Sequence, residues 1–352
     1  MTLQHSTSPA GSPPLPDVVH RARDYTRDAL EQALARLTPD LARICGYYFG
    51  WCEADGTPTS RRGSRSLQAT MVMLAAEATG QDPAAAIPGG VAVELIHNFS
   101  LLHDDIIDGD ELRRDRPAAW VVFGTGPALH AGNALHNEAV RTLLSLGTTT
   151  ATTAARILSD GIAHLIRTWS AEPTFDRSKP QDICVDDYLD ICQGKGGAVL
   201  GTGAVLGTVL CGRPARDGEG LRQAAHHAGT AWQAVNDLEN IWGNAALVGK
   251  PGFQDLRLRK NTLPVIIAMQ SGHSDTERLA TLLAKPSRTE QDFQHTADLL
   301  EALGGKAATE RIAQDHLERA LIALDALTLP EAVHEDLADL IHFTVTRTIR
   351  PR

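Results

Sequence analysis

The chain has 352 residues, of which 43% are hydrophobic and 22% charged, with a formal net charge of -10. That balance supplies a sizeable core and excludes general binding to nucleic acid or to an anionic membrane, both of which select basic surfaces. The five cysteines, Cys45, Cys52, Cys184, Cys192 and Cys211, are odd in number and include no Cys-x-x-Cys pair, so a reduced cytoplasmic setting without structural zinc is expected. Residues 1–16 are rich in Ser, Pro and Thr and read as a disordered leader, followed by a single domain over 17–352. Apolar residues then recur at helical spacing. Helices are predicted over Val18 to Leu37, Leu67 to Thr79, Gly90 to Asp108, Ala128 to Leu146 and Ala151 to Trp169. More follow over Val185 to Leu210, Leu221 to Trp242, Asn261 to Met269, Asp275 to Leu283 and Glu290 to Leu303, with two near the C-terminus. Breakers separate them at Pro58, Asp82-Pro83, Pro88-Gly89-Gly90, Gly124 to Pro127, Pro173 and Pro214. No Gly-rich phosphate loop follows a strand, and the fold class is all-α. The apolar stretch Ala198 to Cys211 is shorter than the roughly 20 residues of a spanning helix, so no membrane span is expected. Its small residues from Gly196 to Gly207 predict either close helix packing or a tunnel wall.

The most informative run is Leu101-Leu102-His103-Asp104-Asp105-Ile106-Ile107-Asp108, followed by Arg113-Arg114. Asp104 and Asp108 are four residues apart, so on a helix they project from one face about 6 Å apart along the axis. Clustered carboxylates need a compensating cation. Hard oxygen ligands favour Mg²⁺, which completes its shell with water and substrate phosphates. Arg113 and Arg114 are fork-shaped donors suited to phosphate oxygens. A solvated acidic helix end is the bland alternative, but the preceding run from Leu95 to His103 is too apolar for a solvated face. A diphosphate with a greasy remainder is the implied ligand.

The segment resembles the first aspartate-rich region of the trans-isoprenyl diphosphate synthases (polyprenyl synthetases), a His-Asp-Asp-x-x-Asp run followed by Arg-Arg-Gly-x-Pro. Only the glycine differs, as Asp115. A second block, Gln233-Ala234-Val235-Asn236-Asp237-Leu238-Glu239-Asn240, is similar to that family's Gln-x-x-Asp-Asp-x-x-Asp helix. It continues through Gly249-Lys250 and Asp255 to Lys260-Asn261-Thr262-Leu263-Pro264, and Gln193-Gly194-Lys195-Gly196 matches a further family element. The resemblance implies an isoprenoid synthase helical bundle with a polar-mouthed central cavity, working as a homodimer. It implies three Mg²⁺ ions held by Asp104, Asp108, Asn236, Asp237 and Asn240, with Asp105 and Arg113 in the catalytic set. Lys195, Gln233, Lys250 and Lys260 would approach the allylic diphosphate.

The departures are specific. Asn236 and Asn240 replace two aspartates of the second motif, keeping oxygen ligands but losing charge. They also resemble, in part, the Asn-Asp-x-x-Ser-x-x-x-Glu motif of class I terpene synthases, although its final Glu would fall at Asn244. At the expected isopentenyl diphosphate site, lysine becomes Arg65 and arginine becomes Gln68, while His97 and Arg114 remain. Losing one charge-assisted hydrogen bond there forfeits about 1.5–3 kcal/mol. The sequence therefore predicts a class I terpene synthase that ionises and cyclises a farnesyl or geranylgeranyl diphosphate, with Phe99 limiting substrate length. The alternatives are a short-chain prenyl diphosphate synthase and a non-catalytic partner subunit of one.

Overall fold

A computed structural model describes residues 15–59, 66–243 and 252–346. Most of the expected leader lies outside the described residues, and Leu15 at its end packs against core side chains. Two helices open the fold, α1 (Asp17–Ala35) and α2 (Pro39–Phe49), followed by α3 (Leu67–Glu77) and α4 (Ile87–Asp108). A two-stranded hairpin, β1 (Leu112–Arg113) and β2 (Arg116–Pro117), leads to α5 (Ala119–Phe123), α6 (Thr125–Leu144) and α7 (Thr149–Arg177). Next come α8 (Val185–Cys192), a π-helical turn at Gln193–Gly197, α9 (Ala198–Leu210) and α10 (Glu219–Trp242). The chain continues with α11 (Gln254–Arg257), α12 (Leu263–Met269), α13 (Thr276–Ala284), α14 (Glu290–Ala302), α15 (Gly305–Asp325) and α16 (Glu331–Thr346). This is the expected all-α class, and the hairpin is the only named sheet among the described residues.

The order of hydrophobicity explains which helices lie inside. Residues 67–76 of α3 and 198–209 of α9 are buried on every face, as expected of helices that are apolar all round. Their small residues let backbones touch. A Cβ on Gly207 would meet the Val72 carbonyl oxygen at 2.1 Å, and one on Gly229 would meet the Gly197 nitrogen at 2.2 Å. The Gly196–Gly207 stretch is therefore a close-packing surface. Helix Pro83–Asp108 has the length and mean hydropathy of a membrane span, which the sequence reading did not single out. Its apolar window is 72% buried within the protein, the condition of a core helix.

Several boundaries differ from expectation. Helix α2 was not predicted because Gly46, Tyr47, Tyr48 and Phe49 are weak helix formers; burial of Ile44 to Phe49 stabilises it. Pro88 and Pro127, read as breakers, sit in the first turns of α4 and α6, where a missing N–H costs no helical bond. Pro173 lies inside α7, which runs on to Arg177, so this helix extends past the predicted end at Trp169. Beside it, Thr168 packs so tightly on the π turn that a Cβ on Gly194 would lie 2.0 Å from its hydroxyl oxygen.

Candidate active site

Four elements converge: the C-terminal turn of α4, the hairpin after it, the α7 turn before Pro173, and the π turn. The first contributes Asp104, Asp105 and Asp108. Helical geometry splits this trio. Asp104 and Asp108 share a partly exposed face, whereas Asp105 is 1% exposed. The Asp105 carboxylate accepts a hydrogen bond from Arg113 Nε at 2.7 Å and another from the Tyr48 hydroxyl at 3.1 Å, and it also accepts one from Arg113 Nη2. Burial raises the Asp105 pKa, opposed by Arg113. Asp105 thus lies off the open acidic face, bonded to Arg113, which also lies 3.6 Å from Asp110.

The hairpin explains the tolerated Asp115. Leu112 pairs with Pro117 and Arg113 with Arg116, leaving a two-residue turn in which Arg114 (φ 53) and Asp115 (φ 61) are both left-handed. Such a turn matches strand twist and favours Asn, Asp or Gly. It aims Arg114 inward, where its guanidinium donates to the Tyr48 carbonyl at 3.0 Å and to Asn98 Oδ1 at 3.3 Å. A small cleft lies here, lined by Tyr47, Tyr48, Arg113, Arg114 and Arg116.

Near this arginine, Gln68 Nε2 donates to His97 Nδ1 at 3.3 Å. The bond fits a neutral ring that carries its proton on Nε2. Burial, then the neighbouring Arg114 and Arg113, push His97 down to about 3, so the ring is neutral near pH 7. His226 and His316 are depressed to about 4, chiefly by burial. The unfolded chain takes up these protons near pH 6.5 and the folded protein does not, so stability falls as pH drops from about 6.5 towards 4. Urea midpoints at pH 7.5 and 5 should show that loss, and His97→Gln should reduce it; a flat profile contradicts it.

The lysines of the site come from two places. Lys195 projects from the π turn, an irregularity frequent at functional sites. Its Nζ lies 2.8 Å from both carboxylate oxygens of Glu172 on α7. Lys260 Nζ donates to Asp108 Oδ2 at 2.7 Å and lies 3.8 Å from Glu172. Burial, then Asp104, raise the Asp108 pKa, while Lys260 opposes the rise. Burial also works against the charge of both ammonium groups, but the carboxylates raise both: Asp104 and Glu172 for Lys195, Asp108 and Glu172 for Lys260.

The second motif holds its aspartate inside the protein. Asp237 is 1% exposed and accepts from the Tyr188 hydroxyl at 3.1 Å, Gln233 Nε2 at 3.1 Å and the Leu263 amide at 3.1 Å. It ties α10 to α8 and to the start of α12; burial pushes its pKa up to about 6. Gln233 Oε1 accepts from Asn236 at 3.4 Å, and Asn240 donates to Asp255 at 3.1 Å. Gln233, Asn236, Asp237 and Asn240 therefore brace the helix junction instead of presenting a second open acidic face. Lys195 is within electrostatic reach of Asp104 and Asp108 in the first motif and of Asp237 in the second. Arg65 and Lys250 lie outside the described residues.

Three participants escaped the sequence reading: Tyr48, Tyr188 and Glu172. Nothing local marks the two tyrosines, and a single Glu before a proline resembles an exposed helix end.

With this geometry in view, the comparisons are decisive. The polyprenyl synthetase family model matches residues 52–300. This chain belongs to the polyprenyl synthetase family. It is 34% identical over 351 residues to a (2E,6E)-farnesyl diphosphate synthase of Mycobacterium tuberculosis, covering 96% of this chain and 97% of that one. It is 36% identical over 319 residues to a geranylgeranyl diphosphate synthase of the same organism, covering 90% and 91%. A polyprenyl synthetase from Streptomyces coelicolor superposes with a TM-score of 0.87 at 37% identity, covering 94% of this chain and 100% of that one. The polyprenyl synthetase chain is therefore an enzyme of allylic prenyl diphosphates with the isoprenoid synthase fold, and the reading as a non-catalytic partner is set aside.

Proposed function

We propose that this polyprenyl synthetase is a short-chain trans-prenyl diphosphate synthase, joining isopentenyl diphosphate to an allylic diphosphate. This reverses the order of the first two readings. The observation that carries it is the likeness to farnesyl and geranylgeranyl diphosphate synthases along nearly the whole of each chain. The site supports it. Arg114 and the Gln68–His97 pair form a polar group separate from Asp104 and Asp108, as two diphosphates require. Gln68 lacks the charge of an arginine, yet it orients His97 with an Nε2–H to offer an anion.

The donor set suits Mg²⁺. Among the described residues no three His, Cys, Asp or Glu side chains surround a metal position. Asp104 and Asp108 offer hard oxygens, and Mg²⁺ is commonly held by one or two carboxylates plus substrate phosphates. Bound there, it would stabilise negative charge on the leaving diphosphate. Lys195 and Lys260 add cationic charge to the same oxygens. The allylic C1–O bond breaks, and the diphosphate leaves with the electron pair. The isopentenyl double bond attacks C1, forming the new C–C bond, and a proton is then lost to restore a double bond. A site closed over the substrate would exclude water that captures the cation. Phe99, with ring centroids 4.8 Å from His103, 5.3 Å from His136 and 5.9 Å from Trp169, supports a short product. The five unpaired thiols suit a reducing cytoplasm. Exposed Val121, Leu129 and Ile166 on α5, α6 and α7 suit a homodimer. The described helices would act as one domain around the site.

Incubation with Mg²⁺ and geranyl or farnesyl diphosphate tests the reading. A longer prenyl diphosphate should form only when isopentenyl diphosphate is added. Gln68→Ala should raise KM for isopentenyl diphosphate about fivefold to tenfold, the value of one hydrogen bond, and leave the allylic KM largely unchanged. A hydrocarbon or terpene alcohol from the allylic substrate alone would restore cyclisation as the function.

A further inference from the structure

Among the described residues, three positive groups around Asp104 and Asp108 are each matched by a carboxylate of the protein. Arg113 is held by Asp105, Lys260 by Asp108, and Lys195 by Glu172. The first two carboxylates belong to the aspartate-rich run. Glu172 does not: it comes from α7, 2.8 Å from Lys195 through both oxygens and 3.8 Å from Lys260. Its side chain is 22% exposed, and those of the two lysines are 16% and 15% exposed. These groups are sheltered enough for their charges to act strongly but remain open to a ligand.

Its placement is built by packing. Thr168, one turn before Glu172, lies against Gly194, one residue before Lys195. The π turn and the α7 turn are thereby locked together, and Lys195 and Glu172 meet across that contact. Contact between the helices requires a small residue at 194, but it does not require an acid at 172.

We infer that Glu172 is a positioning residue, the resident counter-ion of the diphosphate site. It holds Lys195 and steadies Lys260 until a metal-complexed diphosphate displaces it. A bare diphosphate entering this site meets lysines already neutralised and three nearby carboxylates that repel it: Asp104, Asp108 and Glu172. A metal-complexed diphosphate meets a different balance, because metal charge satisfies Asp104 and Asp108 and frees Lys260 from Asp108. Glu172 thus raises the site's selectivity for the metal complex over the free anion. The inference rests on the site binding a diphosphate and is independent of whether the bound substrate is elongated or cyclised.

The test is equilibrium binding of inorganic pyrophosphate to the full chain by calorimetry, once with Mg²⁺ and once with EDTA. Wild type should bind much more tightly with Mg²⁺. Glu172→Gln keeps size and packing but removes the charge, and should tighten binding in EDTA about tenfold while changing Mg²⁺-dependent binding less; tenfold corresponds to 1.4 kcal/mol. Glu172→Asp, which retains the charge, should keep most of the wild-type selectivity. Three results overturn the inference: unchanged EDTA binding in Glu172→Gln, equal behaviour of the Gln and Asp variants, or loss of Mg²⁺-dependent binding in Glu172→Gln. The last would make Glu172 a metal ligand. If wild type binds pyrophosphate under neither condition, the diphosphate site itself has been misassigned.

Discussion

Asp104→Ala should lower turnover of an allylic diphosphate by about 10²–10³-fold or more, the usual cost of removing one preorganised electrostatic group. Asp104 shares the partly exposed face of α4 with Asp108, and its charge raises the pKa of both Asp108 and Lys195. Without it, the remaining carboxylate must hold metal and diphosphate alone, and the developing negative charge is less well stabilised. Pyrophosphate release measured with both substrates checks this, and EDTA should abolish the wild-type reaction. The helical circular dichroism of the variant should be unchanged, because Asp104 is not a core residue. Full turnover by Asp104→Ala, or full wild-type activity in EDTA, removes the metal-assisted mechanism.

Asp105→Ala should act on a different quantity. The neighbouring carboxylate is buried with Arg113 and Tyr48, so its removal takes away the hydrogen-bonded partner of a sheltered guanidinium and leaves it the more distant Asp110, at 3.6 Å. Breaking such a pair costs about 3–5 kcal/mol of folding stability, visible in urea or thermal unfolding. Adding Arg113→Leu to this variant should recover part of the loss, because the stranded charge is then gone. A stable Asp105→Ala protein with severely reduced turnover would instead return Asp105 to the catalytic group. Adjacent aspartates are thus expected to separate into a chemical role and a structural one.

That separation shows what could be read in advance. Local pattern determined the all-α class, because helical apolar spacing is a property of neighbouring residues. It also determined the importance of Asp104 and Asp108, since four-residue spacing puts both on one face of any helix. Family membership was legible from the runs around Asp104 and Asp237. Local pattern nevertheless favours cyclisation, because Asn236, Asn240 and Gln68 stand in sequence as lost charges.

Tertiary structure decided where those side chains go. Asp237 is taken up by Tyr188 and the Leu263 amide, from 49 residues before it and 26 after it. Gln68 meets His97 across 29 residues, and Lys195 meets Glu172 across 23. The stability of α2 was likewise settled by burial, and the end of α7 beyond Pro173 is held by distant partners, Phe175 packing on the core and Asn261 bonding the Phe175 carbonyl and Asp176. The physical reason is common to all of them. Backbone periodicity fixes the face from which a side chain leaves its own helix, whereas the charge or hydrogen bond that it meets belongs to another helix and depends on how closely the two pack.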